Sequence, residues 1–559
     1  MQLIRARFVK ILLLIISIKI FLLLIFISYY DSDEPSRRSK RIVFINELLI
    51  DKKNEPSWEQ RLKFIREEMP SFPLEELLRR PSTEPNCGKV PNSLDIDFSN
   101  DYWQTVHIEN LTYHLFGAYY DNREKITEAP LVRVLSMINN YGAWDKVKYP
   151  DSYCQMWFKN RVDPVIANVS DHKIIWWWGG SGERHVFPTL ISCPLPKTEK
   201  EVPEMVSLVA QRCDKARNLL RVIYEPDVKT VAMPQQKDQA MKDQDNSRKP
   251  LRFMVCVKGL DFPYKDKSWR LVEWLELMRL MGVSKVVFYD GQIHPNMTRV
   301  INDYVTSSPG FVELRPLSMG RGEPHTGRNF HHYAMGADFL NRILNEMIPY
   351  NDCFYRNMYK FDYVGVFDID EVIMPLGNIT KLSDLIELAH KVPDYERDAT
   401  KCTAWASFCF RNVYFPLYPE RPKFYRNLPS FYYMLQHVER VAEHSDRYSA
   451  TKCLHSTQFV VGLHNHFPLF HAQNGECDPK SVPIEFAQLH HYREPDNKTH
   501  LLNPVVDDNI WRFQPQLQQR VYSQYEKLGF LPDIQQLIDA ENRRRKDDEQ
   551  KLHEAISKA

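Results

Sequence analysis

The residues best placed to do chemistry are Asp368 and Asp370, two positions apart at the end of an apolar run over 363–367. On an extended backbone, residues i and i+2 share a side, so both carboxylates can reach one crevice. Oxygen ligands at this spacing suit Mg2+ or Mn2+, hard cations that keep positions open for water and phosphate oxygens. Such a cation neutralises a departing diphosphate, the Lewis-acid role needed when a nucleotide sugar is cleaved. In a chain that is 26% charged, Asp-x-Asp is also what a solvated acidic turn after a strand looks like. Spacing alone leaves both readings open.

Position depends on the surrounding elements, and these follow from hydrophobic period. A short apolar run at 253–257 predicts a strand. Residues 269–281 predict a helix with Leu271, Trp274, Leu275, Met278 and Leu280 near one face, stopped by Gly282. A strand at 286–289 ends in Asp290-Gly291; a helix at 297–304, a strand at 311–314 and a helix at 333–347 follow, before the strand at 363–367. The alternation predicts an α/β fold: a mostly parallel sheet flanked by helices, whose ligands bind beyond the carboxyl ends of the strands. Asp290 and the Asp368 pair both lie at such ends. Strand-like runs at 115–119, 132–137 and 174–178 predict an N-terminal β-rich module over 86–226. Within it, Trp176 to Trp178 suit either packing or stacking on a sugar ring. A polar linker over 227–250 separates this module from a catalytic domain over 251–540, and 541–559 is a charged tail.

The N-terminus bears on compartment. Residues 11–30 are almost wholly apolar, about the ~20 needed to span a bilayer. They exceed the core of a signal peptide, and no small-x-small cleavage site follows. Arg5, Arg7 and Lys10 make 1–10 a cytoplasmic tail and everything beyond the anchor luminal, a type II topology. Residues 31–85 read as a stem, or equally as the first helical part of the globular region. All ten cysteines lie beyond the anchor, none in a CxxC pair, so disulfide bonds are expected and zinc-ribbon or thioredoxin-like readings are not. Five sequons, at Asn110, Asn168, Asn296, Asn378 and Asn497, suit a glycoprotein. A net charge of +1 argues against nucleic acid as a partner. With 19 glycines and neither GxGxxG nor GxxxxGK[ST], dinucleotide and P-loop sites are not supported.

Cys353-Phe-Tyr-Arg356 followed by Phe361-Asp-Tyr-Val-Gly-Val-Phe-Asp-Ile-Asp-Glu-Val-Ile-Met-Pro375 resembles the DxDE block of glycosyltransferase family 92. Leu115-Phe-Gly-Ala-Tyr-Tyr-Asp-Asn-Arg123 resembles that family's early AYYDxR stretch. Glu273-Trp274, Gly282-Val283, Phe288-Tyr289-Asp290 and His491-Tyr492-Arg493 are similar to its EW, GV, YD and HYR landmarks. The resemblance implies a GT-A-like nucleotide-sugar fold, a Golgi membrane location, Mn2+ dependence, and inverting transfer of galactose from UDP-galactose to a glycan acceptor. Carried over residue by residue, it implies Asp368 and Asp370 as metal ligands, Asp290 facing the nucleotide, and Lys258 and Arg356 on uridine or phosphate. His491 is the proposed third metal ligand, with His464 and His466 as rivals and a structural role open for each. Inversion needs a general base for the acceptor hydroxyl; Glu439, Glu443 and Asp446 are candidates, with Glu443 favoured. The chain departs from the family pattern over 319–350, where His325, Arg328, His331 and His332 occupy an enlarged loop and helix.

Two other readings compete. Asp-x-Asp after an apolar strand is also similar to the haloacid dehalogenase phosphatase signature, with the first Asp as nucleophile. That motif belongs on the first strand of its domain, whereas roughly three strands precede it here. A non-catalytic luminal sugar-binding protein is the other alternative.

Overall fold

The computed structural model describes residues 17–21 and 55–534, except 81–82, 140–147, 177–184, 227–249, 321–327, 393–403, 417–427, 429–430, 467, 473–475, 478 and 494–502, with single positions beyond 534. It divides into two compact units, 1–65 and 66–559. In the first, 17–21 are helical. The expected anchor over 11–30 otherwise lies outside the described residues, among which no helix is long and apolar enough to cross a membrane.

The larger unit begins where composition suggested a stem. Phe72 is buried with Ile96, Trp157 and Leu219, and Met69, Leu74 and Leu77 pack against this cluster, so the second half of that stretch is part of a folded core. Nine strands between Gln104 and Ile223 then form one curled sheet, antiparallel except where Ala118 and Tyr119 pair in parallel with Val222 and Ile223. Its strand Leu111–Asp121 is buried almost end to end. Successive side chains of a strand leave on opposite faces. Tyr113, Leu115, Ala118 and Tyr120 enter the module's own core, while Phe116 and Tyr119 enter a second core shared with the following sheet.

That following sheet is built from β1 (Phe253–Phe262), α1 (Ser268–Leu280), β2 (Val283–Ile293), α2 (Pro295–Ser307), β3 (Val312–Pro316), α3 (Arg328–Ala337), α4 (Phe339–Asn357) and β4 (Tyr363–Val366). The chain continues through β5 (Glu371–Pro375), α5 (Leu382–Lys391), β6 (Ser407–Phe410), β7 (Asn412–Pro416), β8 (Lys452–Ser456), β9 (Lys480–Ser481), β10 (Ala487–Arg493) and α6 (Gln514–Leu528). Seven strands lie in the order β3-β2-β1-β4-β8-β6-β9. The first four are mutually parallel, as the alternation of strands and helices requires. β8 runs antiparallel to both β4 and β6, so the sheet is mixed. A second sheet, β5-β10-β7, stands beside it.

Two helices differ from expectation for physical reasons. The helix expected over 333–347 is two helices, because the Asp338 side chain accepts the Asn341 N–H at 3.0 Å and starts a new one. The second then runs through Pro349, buried on nearly every side from Met347 to Asn357. It lies between the parallel sheet and the curled sheet, and the proline inside it is a residue that ordinarily ends a helix. α1 is likewise buried around most of its circumference, with α6 and the short helix Tyr433–Gln436 packed outside it.

Polar ties join the curled sheet to the parallel one. Asp352 on α4 accepts hydrogen bonds from the hydroxyls of Tyr119 and Tyr289 and, at 2.8 Å, from Arg356 Nε. Asp121 binds Arg123 at 2.8 Å and Arg133 at 3.1 Å, and Arg123 Nη1 reaches across to the carbonyls of Thr457 at 2.6 Å and Val460 at 2.7 Å. Disulfides join Cys87–Cys213, Cys154–Cys193, Cys256–Cys353 and Cys409–Cys453, the third tying β1 to α4 and the fourth β6 to β8.

Candidate active site

The chain leaves the large sheet at Val366 and enters the small one at Glu371. Asp368 and Asp370 therefore occupy the turn between two sheets. This turn is closed by reciprocal bonds: Asp368 N–H donates to Glu371 Oε2 at 2.9 Å, and Glu371 N–H to the Asp368 carbonyl at 3.0 Å. Trp274 Nε1 on α1 donates to the Glu371 carbonyl at 2.9 Å, and Tyr492 N–H on β10 donates to the Asp370 carbonyl at 2.8 Å. Glu371 is 2% exposed and pairs at 3.0 Å with Lys452, a lysine with no exposed surface.

Both aspartates line a cavity of about 600 Å3. Its remaining walls come from the end of β1 (Lys258), the start of α1 (Lys267, Arg270) and the end of β10 (His491, Arg493). Lys258 Nζ lies 3.2 Å from Asp368 Oδ1 and 3.6 Å from Glu346, and Lys452 Nζ lies 3.8 Å from Asp368 Oδ2. Burial pushes the Asp368 pKa up, but the ammoniums of Lys258 and Lys452 outweigh it and hold the group well below the usual carboxylate range. Asp370 is pushed the other way, by burial and by the neighbouring Asp368 charge. One carboxylate is thus compensated by protein cations, and the other faces the cavity with its charge disfavoured. Added positive charge would relieve it.

Among the described residues, no three His, Cys, Asp or Glu side chains are grouped to hold a metal ion by themselves. The donors present fit a cation that takes one or two carboxylates and completes its shell with water and substrate phosphate. Asp368 Oδ1 is buried, with the Lys258 ammonium 3.2 Å away as its ion-pair partner, and His491 stands on the facing strand with Nδ1 3.3 Å from Asn412 Nδ2 and 3.7 Å from Glu371 Oε1.

The fold brings Lys258, Asp368, Asp370 and His491 together. Other candidates are elsewhere. Asp290 lies on β2 and lines neither this cavity nor the one beside it. Arg356 is buried on α4 with Asp352, 5.9 Å from the Tyr119 ring centre, so its guanidinium serves the junction between sheets. Glu443 is exposed and lines neither cavity. His464 stacks on Trp176 with ring centres 3.9 Å apart, and His466 Nδ1 is 2.9 Å from the Thr451 carbonyl. Lys452, Lys267 and Arg270 emerge only from the structure. A lysine inside the strand-like run around Cys453 is the one sequence signal among them, since a buried strand position keeps a lysine only beside a carboxylate.

A model of glycosyltransferase family 92 matches residues 252–528. The chain belongs to glycosyltransferase family 92. It is therefore a glycosyltransferase, whose family chemistry joins a nucleotide sugar to a glycan acceptor. No curated protein matches the chain. The matched region begins one residue before β1 and ends with α6, leaving the curled sheet outside it.

In this family 92 enzyme the landmark residues hold the site in place. Trp274 secures the Asp368 turn, and its neighbour Glu273 accepts backbone N–H bonds from Tyr433, from Met434 at 3.0 Å and from Leu435 at 3.0 Å, fixing the start of the short helix behind α1. Burial pushes the Glu273 pKa up from an ordinary 4.5 to about 7, against the pull of those donors. The native state therefore retains a proton that the unfolded chain releases between those values, so stability declines as pH rises through that window. Thermal melts of Glu273→Gln, which cannot ionise, should lack this decline; equal slopes for both proteins between pH 5 and 7 would refute it.

Proposed function

We propose that this glycosyltransferase is a metal-dependent, inverting hexosyltransferase of the GT-A type, taking galactose from UDP-galactose and adding it to a glycan acceptor on glycoproteins or glycolipids. The observation that carries this reading is the pairing of Asp368 and Asp370 at the turn between β4 and β5, facing a cavity whose opposite wall is cationic. Four parallel strands followed by a small second sheet support the GT-A assignment. The apolar run over 11–30 supports a single-pass type II anchor, and with it a Golgi membrane location with the catalytic domain luminal.

Asp368 and Asp370 would hold Mn2+ or Mg2+, with His491 as a further ligand from β10. When bound, the cation neutralises charge on the leaving diphosphate. Protein cations complete that role. The Lys267 ammonium sits 4.2 Å from the Phe262 ring centre and the Arg270 guanidinium 4.1 Å from that of Tyr433. Neither makes an ion pair among the described residues, so their charge is directed by aromatic faces and is available to phosphate oxygens. Lys258 keeps Asp368 ionised, which a metal ligand requires.

The test is hydrolysis and transfer by the full chain in detergent, with a panel of nucleotide sugars, in Mn2+ or in EDTA. Turnover of UDP-galactose only with the divalent cation is expected. Metal-dependent release of phosphate from simple phosphate esters, with every nucleotide sugar left intact, would replace this reading by the phosphatase one.

A further inference from the structure

A second cavity, of about 280 Å3, lies beside the first and shares Lys258 and Phe262 with it. Its walls come from β1, from the chain just after β3, and from α3 and α4, the stretch in which this sequence departs from its family pattern. Two polar atoms on its lining have no hydrogen-bond partner although buried: the acceptor Asp261 Oδ1 and the donor Arg342 Nε. Leaving such groups unpaired costs about 1–3 kcal/mol each, so a ligand offering both a donor and an acceptor would satisfy them. Asp261 Oδ2 meanwhile lies 2.9 Å from His332 Nδ1, fixing that imidazole at the cavity wall.

Exposed aromatic side chains stand beside residues of its lining. Tyr264 is 63% exposed, Phe330 60%, Tyr333 68% and Phe339 61%. Two of them touch its lining: the Tyr264 ring meets His332 edge-on at 5.5 Å, and the Arg342 guanidinium lies 5.0 Å from the Phe339 ring centre, while Phe330 and Tyr333, 6.2 Å apart, lie on α3. Exposed apolar groups clustered at the rim of a cavity mark a binding surface. A sugar ring matches both features, because its C–H face packs on aromatic rings while its hydroxyls donate and accept. A lipid surface would cover the aromatic rim but leave Asp261 and Arg342 unsatisfied inside.

We propose that this cavity and its aromatic rim are the subsite for the acceptor saccharide. The inference rests on the transferase reading, since the Lys258 wall separates it from the Asp368 cavity that the donor diphosphate would fill. It makes α3 a specificity element, because it presents His332 and Met335 to the cavity.

The experiment uses the full chain in detergent, an array of immobilised N-glycan and glycolipid oligosaccharides, and parallel assays of transfer and donor hydrolysis. Tyr264→Ala/Phe339→Ala removes exposed rings and should spare the fold; Asp261→Asn is the second variant. Wild type should bind a subset of the array without donor. Both variants should weaken that binding, and lower the ratio of transfer to donor hydrolysis, at least tenfold. Unchanged array binding and an unchanged ratio in both would overturn the proposal. So would a proportional loss of hydrolysis and transfer, which would mean that the cavity takes the donor sugar. Loss of binding to phosphatidylcholine–phosphatidylserine vesicles with glycan binding intact would instead make the rim a membrane contact. If wild type bound array glycans through these residues but turned over no nucleotide sugar, the transferase reading would fail and saccharide recognition here would stand.

Discussion

Asp370→Ala is expected to lower sugar transfer by three orders of magnitude or more, about 4 kcal/mol of transition-state stabilisation, while leaving the melting temperature unchanged or slightly raised. The two halves of this expectation share one cause. The Asp370 carboxylate makes no ion pair or hydrogen bond among the described residues, and burial and Asp368 both disfavour its charge. Removing it therefore relieves repulsion in the free protein while deleting a ligand of the proposed cation. Asp368→Ala should behave differently. It strips the partner from Lys258 at 3.2 Å and weakens the surroundings of the buried Lys452, so it should cost both activity and stability. Initial rates with UDP-galactose and Mn2+, with thermal melts of the same samples, separate the cases. An Asp370→Ala protein retaining more than a tenth of wild-type transfer would remove Asp370 from the proposed metal site.

The contrast between these neighbours also shows how far the sequence can be read. Hydrophobic period and breakers locate β1 to β4 and the helices between them, because a parallel sheet with helical crossovers writes its alternation along the chain. The end of β4 follows from the same pattern, and with it the Asp368 pair. What surrounds the pair is assembled from distant segments. Lys452 comes from an antiparallel strand inserted beside β4, Arg270 from the start of α1, and Arg493 from a second sheet. No spacing rule links such positions to 368. The full length of α4 is hidden because Pro349, a residue that ordinarily ends a helix, lies inside it. Disulfide partners were equally closed to reading, as ten cysteines allow many pairings.

Asp121→Ala should destabilise the larger unit by about 3–5 kcal/mol, the typical penalty for stranding buried charge, and should do so by loosening the junction between the curled sheet and the parallel one. Asp121 has no exposed surface and holds two arginines that are themselves almost wholly buried. Without it, two guanidiniums lose their counter-ion at once. Arg123 then also loses the partner that orients Nη1 toward the carbonyls of Thr457, just after β8, and Val460, which opens the strand Val460–Leu463. That segment follows the strand bearing Lys452, so the defect should reach the cavity as lower activity as well as lower stability. The pH response has a definite sign. Burial alone would raise the Asp121 pKa, but Arg123 and Arg133 outweigh it and hold the pKa below its ordinary value. A depressed carboxylate contributes stability that is fully present above its unfolded pKa, near 4, and is lost as pH falls toward the folded value. Urea titrations should therefore show the wild-type advantage over Asp121→Ala constant from pH 8 to 5 and shrinking below 4. A substitution costing less than 1 kcal/mol at pH 7 would mean that the two sheets are held together by the apolar core around Tyr119 and α4 alone.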